Sequence, residues 1–453
     1  MPGHLAKSLF LLLSAAMLAP DASAASFKAA TARTDITPPA GVAMWGYARR
    51  AGPATGTLDP LFARILLMES DSKRVALVTL DLGRPFGAES IERLRAAASQ
   101  KAAVSYVFIA ASHTHSGPVI LDEYRQGARP AWEAAAVDKI AAAIAEAAGR
   151  LQDARIGTGY GVAYIGHNRL RINSDGTVTW FERNPTMTPT PPVDPTVSVL
   201  RIDAENDKPL ALVVNYACHP VVFGPDNLQF SADFPGQTVK AVEEAFGGEP
   251  LCMFLQGAPG DINPLHAVTP LAQDAVKLRD WTGRRLGEEA ARVAKTIRTE
   301  PAHAAALKYS EDLLTFRLRW NEDKYRKGII AIFGPKAFEE FAPPIRREMQ
   351  LPVATVLIDN RIALMGMPGE PFVDFQIDWR NRCPVRDAFF AGYANAYYGY
   401  FPTIRAATVK GYGAASVTTW VEPGAGERMV DHALVRIYEM LGQLNDKPFD
   451  APF

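Results

Sequence analysis

The sequence predicts an α/β protein with a mixed sheet, organised as one large domain. Three observations carry this. Between Arg74 and Leu151, apolar extended runs alternate with helical spacing, as in parallel βα units. Further on, Asp175-Gly176 sits between two short extended runs in Arg169 to Phe181, a hairpin signal that calls for antiparallel pairing. No internal repeat, low-complexity tail or break in composition divides the 453 residues, although length alone would allow two domains.

Hydrophobic residues make up 48% of the chain and charged residues 21%, enough to bury a sizeable core and to exclude intrinsic disorder. The formal net charge is -1. With no basic stripe, nucleic acid is not an expected partner. The first 24 residues differ from the rest. Lys7, the apolar run Leu9 to Leu13 and the small residues Ala22-Ser23-Ala24 form the n-region, h-region and cleavage site of a signal peptide. Residues 25–453 are the expected mature chain, secreted or periplasmic. No later apolar run is long enough for a transmembrane segment. Cys218, Cys252 and Cys383 are too few and too odd in number for a disulfide scaffold. Cys218 and Cys252 read as buried thiols, which leaves one disulfide among the three open.

In chain order, Arg33 to Pro39 is extended and then rigid, with Asp35 placed to cap a turn. Met44 to Asp59 is a Gly/Pro-rich loop and a candidate site wall. Arg74 to Asp81 is a strand, Ala88 to Ser99 a helix, Tyr106 to Ser112 a strand, and Pro130 to Leu151 a long Ala-rich helix. After the Asp175-Gly176 hairpin, Asn184 to Pro195 holds five prolines and is a loop. Val197 to Asp203 and Leu210 to Tyr216 are strands. Asp233 opens a helix to Phe246 as its N-cap. Leu251 to Leu255 is a buried strand, Val276 to Ile297 an amphipathic helix, and Leu307 to Trp320 sheet again. Lys324 to Glu348 reads as a polar surface helix. Val353 to Ile358 and Arg361 to Met367 form a second hairpin around Asp359-Asn360. Phe389 to Thr403 is dense in tyrosine, and Gly426 to Leu444 is the last helix.

Four strands end in Gly/Pro loops that carry polar groups: His113 and His115, His219, Asp261 and Asn263, and Glu370. Strand ends of this kind line clefts in α/β proteins. If Ser112 to Ser116 stays extended, His113 and His115 share a face, and two neutral imidazoles suit a divalent transition metal. A hydrogen-bonded pair of loop histidines is the alternative. Two histidines plus a carboxylate make a catalytic zinc set with an open position, provided that all four strand ends meet at one edge of one sheet.

The chain resembles the catalytic domain of the neutral, non-lysosomal ceramidases. The resemblance rests on Ser112 to Pro118, Asn215 to Pro220, Gln256-Gly257 with Gly260-Asp261, and Pro368-Gly369-Glu370. Asn395 to Thr403 and Tyr412 to Ser416 complete it. It implies a large catalytic domain of mixed β-sheets sandwiched by helices. The C-terminal β-sandwich domain of the family's longer members is not expected, because the sequence stops too early to hold it. The resemblance implies Zn²⁺ on His113, His219, Glu370 and Tyr400, with Tyr397 or Tyr398 as alternatives to Tyr400. It also implies site roles for His115, for Arg169 in the pair Asn168-Arg169, and for Tyr412, twelve residues after Tyr400.

One position departs from the family pattern. Asn263 stands where the family's Gly-Asp-x-Ser-Pro loop has a serine treated as catalytic. An amide is neither base nor nucleophile, so covalent catalysis through this position is excluded. The implied activity is zinc-assisted attack of water on the amide of a small-molecule or lipid-like N-acyl substrate. Arg169 and Tyr412 would stabilise the oxyanion and His115 would protonate the leaving amine. Asn263 would orient water or substrate, and Asp261 would hold a ligand histidine. An ester, lactone or other non-ceramide polar substrate is the close alternative. A catalytically inactive, zinc-stabilised binding protein of the cell envelope is the alternative from another class.

Overall fold

The computed structural model describes residues 27–71, 73–124, 129–302, 306–341 and 346–444. The leader expected at residues 1–24 lies outside them. Two β-sheets stack face to face and helices cover their outer faces, which is the predicted mixed α/β architecture.

The larger sheet runs, edge to edge, through Leu251–Gln256, Pro209–Tyr216, Thr196–Ala204, Gln152–Val162, Lys28–Asp35, Phe62–Ser70, Lys73–Leu80 and Tyr106–Ala111. Its interior pairs are antiparallel. The outermost pair at each end is parallel, and those are the strands that deliver the histidines. The second sheet holds Leu307–Arg317, Glu348–Ile358, Ile362–Gly366 and Asp387–Ala391. Phe108, Val213 and Leu255 of the first sheet pack against Val356, Leu364 and Phe389 of the second in one buried cluster.

The first sheet curls until its two edges face each other. Gln256 Nε2 on one edge donates to Ser112 O just past the other, at 2.8 Å. A short segment after Asp387–Ala391 stitches both. Gly392 N–H donates to Gln256 O, Ala111 N–H to Tyr393 O and Asn395 N–H to Ile109 O, while Ile109 N–H donates to Asn395 Oδ1. The tyrosine-dense segment therefore closes the sheet edges and brings its rings to the histidine-bearing ends.

The hairpin around Asp359-Asn360 forms with both residues in the left-handed region, as a two-residue turn between twisted strands requires. Phe62–Ser70 and Gln152–Val162 are strands that the sequence reading passed over. In the latter, Gly157, Gly159 and Gly161 lower strand propensity, which hid it. Their use is close packing. A Cβ at Gly161 would lie 2.2 Å from Glu289 Oε1 and 2.5 Å from Val293 Cγ2, so the helix Ala275–Thr296 rests almost on the strand backbone.

Three expectations change. All three cysteines are free thiols, so the open disulfide does not form. Asp233 is the first residue of its helix rather than the N-cap, at φ +54°, and its carboxylate accepts from Phe234 and Phe223 N–H. The helix Glu322–Phe341 is not wholly a surface element. Tyr325 is buried, Ile329 faces the central cavity, and the helix breaks at Gly334 before Pro335. Asp35 caps a turn by accepting from Thr37 N–H at 2.8 Å, and no helix of the described residues is long and apolar enough to cross a membrane.

Candidate functional site

The four polar strand ends do meet, but not along one edge of one sheet. His113 and His115 follow one edge of the first sheet. The Asp261 to Asn263 loop follows the other edge, His219 follows the strand beside that edge, and Glu370 comes from the second sheet. Curling of the first sheet and docking of the second together make the site.

His113 leaves its strand at φ +69°, a backbone that costs an L-residue roughly 1–2 kcal/mol. Ser112 to Ser116 is therefore a turn rather than an extended run, and the turn brings both imidazoles inward. It is held by His113 N–H on Leu82 O, by His113 Nδ1–H on Gly83 O at 2.6 Å, and by Tyr393 stacked on the ring at 4.0 Å. His219 Nδ1–H is held the same way by the carbonyls of Pro259, at 2.5 Å, and Ile262, at 3.2 Å. These backbone carbonyls fix the tautomer, leaving a lone pair on each Nε2.

The lone pairs converge on the Glu370 carboxylate. Its Oε2 lies 3.0 Å from His219 Nε2 and 3.4 Å from His113 Nε2. His115 Nε2 lies 3.1 Å from His113 Nε2. His113, His219 and Glu370 are all at most 3% exposed. Buried acceptors packed this closely repel unless a proton or cation sits among them. A tetrahedral ion bound at 2.0–2.1 Å has ligand edges of about 3.3 Å, close to these separations. The donor set therefore fits a divalent metal. The three imidazoles His113, His115 and His219 group as metal-capable, so His115 stands with the donors as well as in its expected role as proton carrier.

Burial and the Arg169 guanidinium push His219 down to about 4. Burial and the two neighbouring imidazoles hold His115 well below the usual histidine value. Burial pushes the Glu370 carboxyl up, but the imidazoles more than reverse this and keep it ionised. The pull on Glu370 is that of a proton shared with the imidazoles, and a metal cation would take the place of that proton.

Tyr397 O–H donates to Glu370 Oε1 at 2.5 Å, with the Arg84 guanidinium 5.0 Å above its ring. Sequence reasoning held Tyr397 only as an alternative to Tyr400. Tyr400 Oη accepts from Arg169 Nη2 at 3.0 Å and also reaches the Glu370 carboxylate, so both tyrosines stand at the donor cluster. Arg169 is buried, with Nη1 on Asn263 Oδ1 at 3.1 Å and Nη2 also on Gly260 O at 2.7 Å. Burial pushes its guanidinium down, but Tyr400, Glu370 and Tyr412 reverse the effect. Tyr412 is 41% exposed and meets Tyr400 edge-on, with ring centres 5.3 Å apart.

Asp261 does not hold a histidine. Its carboxylate accepts from Asn168 Nδ2 at 2.6 Å and from Val373 N–H, at the start of a helix, at 2.8 Å. Backbone carbonyls took the role expected of it. Burial pushes Asp261 up to about 7 from an ordinary value of 3.8. Between those values the folded state keeps a proton that the unfolded state has lost, so stability falls as pH rises, by up to about 1.4 kcal/mol per pH unit. Urea unfolding of metal-free protein at pH 5, 6 and 7 should show this fall, and Asp261→Asn should flatten it. Parallel curves for the two proteins would rule out the assignment.

A cavity of about 440 Å³ opens onto the cluster. His113, His115, Glu370, Tyr400 and Tyr412 stand on its wall, while His219, Arg169, Asp261 and Asn263 lie behind it. The loop from Ala43 to Pro53 contributes Trp45, Tyr47 and Arg50, as expected of a site wall. It approaches so closely that a Cβ on Gly46, at φ +105°, would come 2.5 Å from the His115 ring. Trp420 and Ile329 add apolar surface, and Arg84, Asp122 and Glu123 add charge.

Fold and site define an α/β protein with a candidate metal centre at converged strand ends, opening on an aromatic-lined cavity. The chain belongs to the neutral/alkaline non-lysosomal ceramidase family, whose N-terminal domain model matches residues 27–275. The neutral ceramidase of Mycobacterium tuberculosis is 26% identical over 266 residues, or 53% of this chain and 40% of that protein. The chain thus matches well under two thirds of that relative's length. Among solved structures, a ceramidase complexed with C2 superposes with a TM-score of 0.74 at 19% identity, over 94% of this chain and 76% of that one. The neutral ceramidase from Pseudomonas aeruginosa gives 0.72 at 20% identity, over 95% and 77%. At these identities the structural likeness establishes the fold.

Proposed function

We propose that the protein is a secreted or periplasmic zinc-dependent hydrolase of neutral ceramidase type that cleaves an amide (N-acyl) bond. The observation that carries this is the meeting of His113, His219 and Glu370 donor atoms, 3.0–3.4 Å from Glu370 Oε2 to each imidazole, beside the 440 Å³ cavity. Extracellular placement rests on the leader pattern alone. Bound Zn²⁺ would polarise the substrate carbonyl and lower the pKa of water from about 15.7 towards about 7.

The chain's own residues do the rest. Neutral His115, on the cavity wall, accepts a proton from the attacking water and passes it to the leaving nitrogen, which departs only when protonated. Tyr400 and Tyr412 present phenols to the carbonyl oxygen. Because Arg169 donates to Tyr400 Oη, the Tyr400 proton is turned away from the guanidinium, towards the Glu370 carboxylate or a substrate oxygen that takes its place. Arg169 acts through Tyr400 and not on the substrate. Tyr397 orients Glu370.

A second reading keeps the metal site but changes the substrate to an ester, lactone or other polar compound. Two observations favour it: Asn263 occupies the position of the family serine, and the cavity has the size of a drug-like ligand with Arg84, Asp122 and Glu123 on its wall. The test is hydrolysis by the zinc-loaded full chain of a short-chain N-acyl sphingosine, an N-acyl amino acid and a p-nitrophenyl ester. Amide turnover abolished by chelation and restored by zinc is the expected result. Turnover of the ester alone selects the second reading. Stoichiometric zinc with no turnover identifies a binding protein.

A further inference from the structure

Asn263 lies at the centre of the short strand Ile262–Pro264, paired with Gly166–Asn168 so that Asn263 sits opposite His167. It is 2% exposed. Its amide is engaged at both ends: Oδ1 accepts from Arg169 Nη1 at 3.1 Å, and Nδ2 donates to Glu182 O at 3.0 Å. Neither end reaches the cavity wall, so this side chain does not orient water or substrate. What it touches is Arg169, whose main-chain N–H is also fixed from the same loop, on Asp261 O at 2.8 Å.

Arg169 is unusual in its partners. Among the described residues no carboxylate forms an ion pair with it. Its acceptors are an amide oxygen, a backbone carbonyl and a phenol, and its Nε–H is buried with no partner. Trp180, Tyr400 and Tyr412 surround the guanidinium with ring centres 5.3–5.7 Å away. The nearby Glu370 carboxylate favours the charged guanidinium, but it makes no ion pair with it among the described residues, so much of the cation's field remains.

We propose that Asn263 is a positioning residue that holds the Arg169 guanidinium on the Tyr400 oxygen without placing a further negative charge against it. The side chain at 263 must be long enough to reach Nη1, must accept on that side and donate to Glu182 O on the other, and must be neutral. Asparagine meets all of these conditions. Aspartate would reach but would form a charge-assisted pair, weaken the field at Tyr400, and face Glu182 O with a second acceptor. Alanine would let the guanidinium turn. Serine is too short to hold it in place. This rests on the reading of Tyr400 as a donor in the reaction, but the placement of Arg169 can be tested without any substrate.

Crystal structures of metal-free Asn263→Ala and Asn263→Asp test the geometry. In Asn263→Ala the Arg169 guanidinium should move off Tyr400 Oη by an ångström or more, and in Asn263→Asp it should stay. Kinetics with p-nitrophenyl acetate and a short-chain N-acyl sphingosine test the consequence. Both variants should lose between about ten- and a hundredfold in kcat, with KM changed less than about twofold. In an Arg169→Ala background, Asn263→Ala should cost nothing further, whereas a merely structural role predicts an additional, independent loss. Should Asn263→Ala not fold, Asn263→Ser serves in its place. An unmoved guanidinium in Asn263→Ala overturns the positioning role whether or not a substrate is known. Wild-type kcat in Asn263→Asp overturns the requirement for a neutral partner. If neither probe is hydrolysed by the wild-type chain, the functional reading fails and the crystal structures alone decide this one.

Discussion

Purified from zinc-supplemented culture, the protein should carry about one equivalent of zinc, and His113→Ala and His219→Ala should carry almost none. Each histidine is held by its Nδ1–H on a backbone carbonyl, so its Nε2 is aimed before any ion arrives. Loss of a residue that only supports a ligand weakens metal binding by about 10–100-fold, and loss of a ligand should exceed that. Hydrolysis should fall below detection in both variants. Metal content by mass spectrometry and competition with a chromogenic chelator provide the measurement. Full zinc retention in either variant would remove that histidine from the donor set. His115→Ala is the informative companion, since its Nε2 lies 3.1 Å from that of His113. Loss of zinc makes it a ligand, whereas retained zinc with lost turnover makes it the proton carrier.

Arg169→Ala should keep its zinc and lose about 10²-fold in kcat, the scale of a misplaced or missing oxyanion donor. The guanidinium joins Asn263, Gly260 and Tyr400. Removing it frees the Tyr400 phenol to turn. Arg169→Lys should not rescue, because an ammonium on a flexible stem does not span the three acceptors as a planar fork does. Thermal melting should accompany the kinetics, since the mutation also leaves buried acceptors unpaired. Turnover within about threefold of wild type in a folded, zinc-loaded variant would show that Tyr400 needs no support from Arg169.

Much of this arrangement was legible in the sequence because each piece has a local signature. The apolar run Tyr106 to Ala111 that ends on His113-Thr114-His115, the hairpin turns at Asp175-Gly176 and Asp359-Asn360, and the glycine-flanked Glu370 all announce themselves within a few residues. Tertiary closeness does not. No local pattern says that the first sheet curls until Gln256 reaches Ser112, so the strand ends were expected on one edge rather than gathered from two sheets. The assignment of Asp261 failed for a related reason. Carboxylates commonly support ligand histidines, but main-chain carbonyls of Gly83, Pro259 and Ile262 do so here, and a backbone group has no letter in the sequence. Tyr397 and Tyr400 both reach Glu370, and no sequence pattern says that Tyr400 also meets Arg169. Gln152–Val162 was missed because its glycines argue against a strand until the helix lying on them is known.

The segment Gly392 to Asn395 stitches the two sheet edges together beside the histidines. Open edges of a large, apolar sheet are templates for pairing with other chains, and proteins that leave them bare are prone to aggregate. In this chain the main-chain groups of Ile109, Ala111 and Gln256 are occupied by that one segment. The tyrosine-bearing stretch that furnishes the reaction centre therefore also shields the molecule from self-association, and a mutation that loosens it would threaten solubility together with activity.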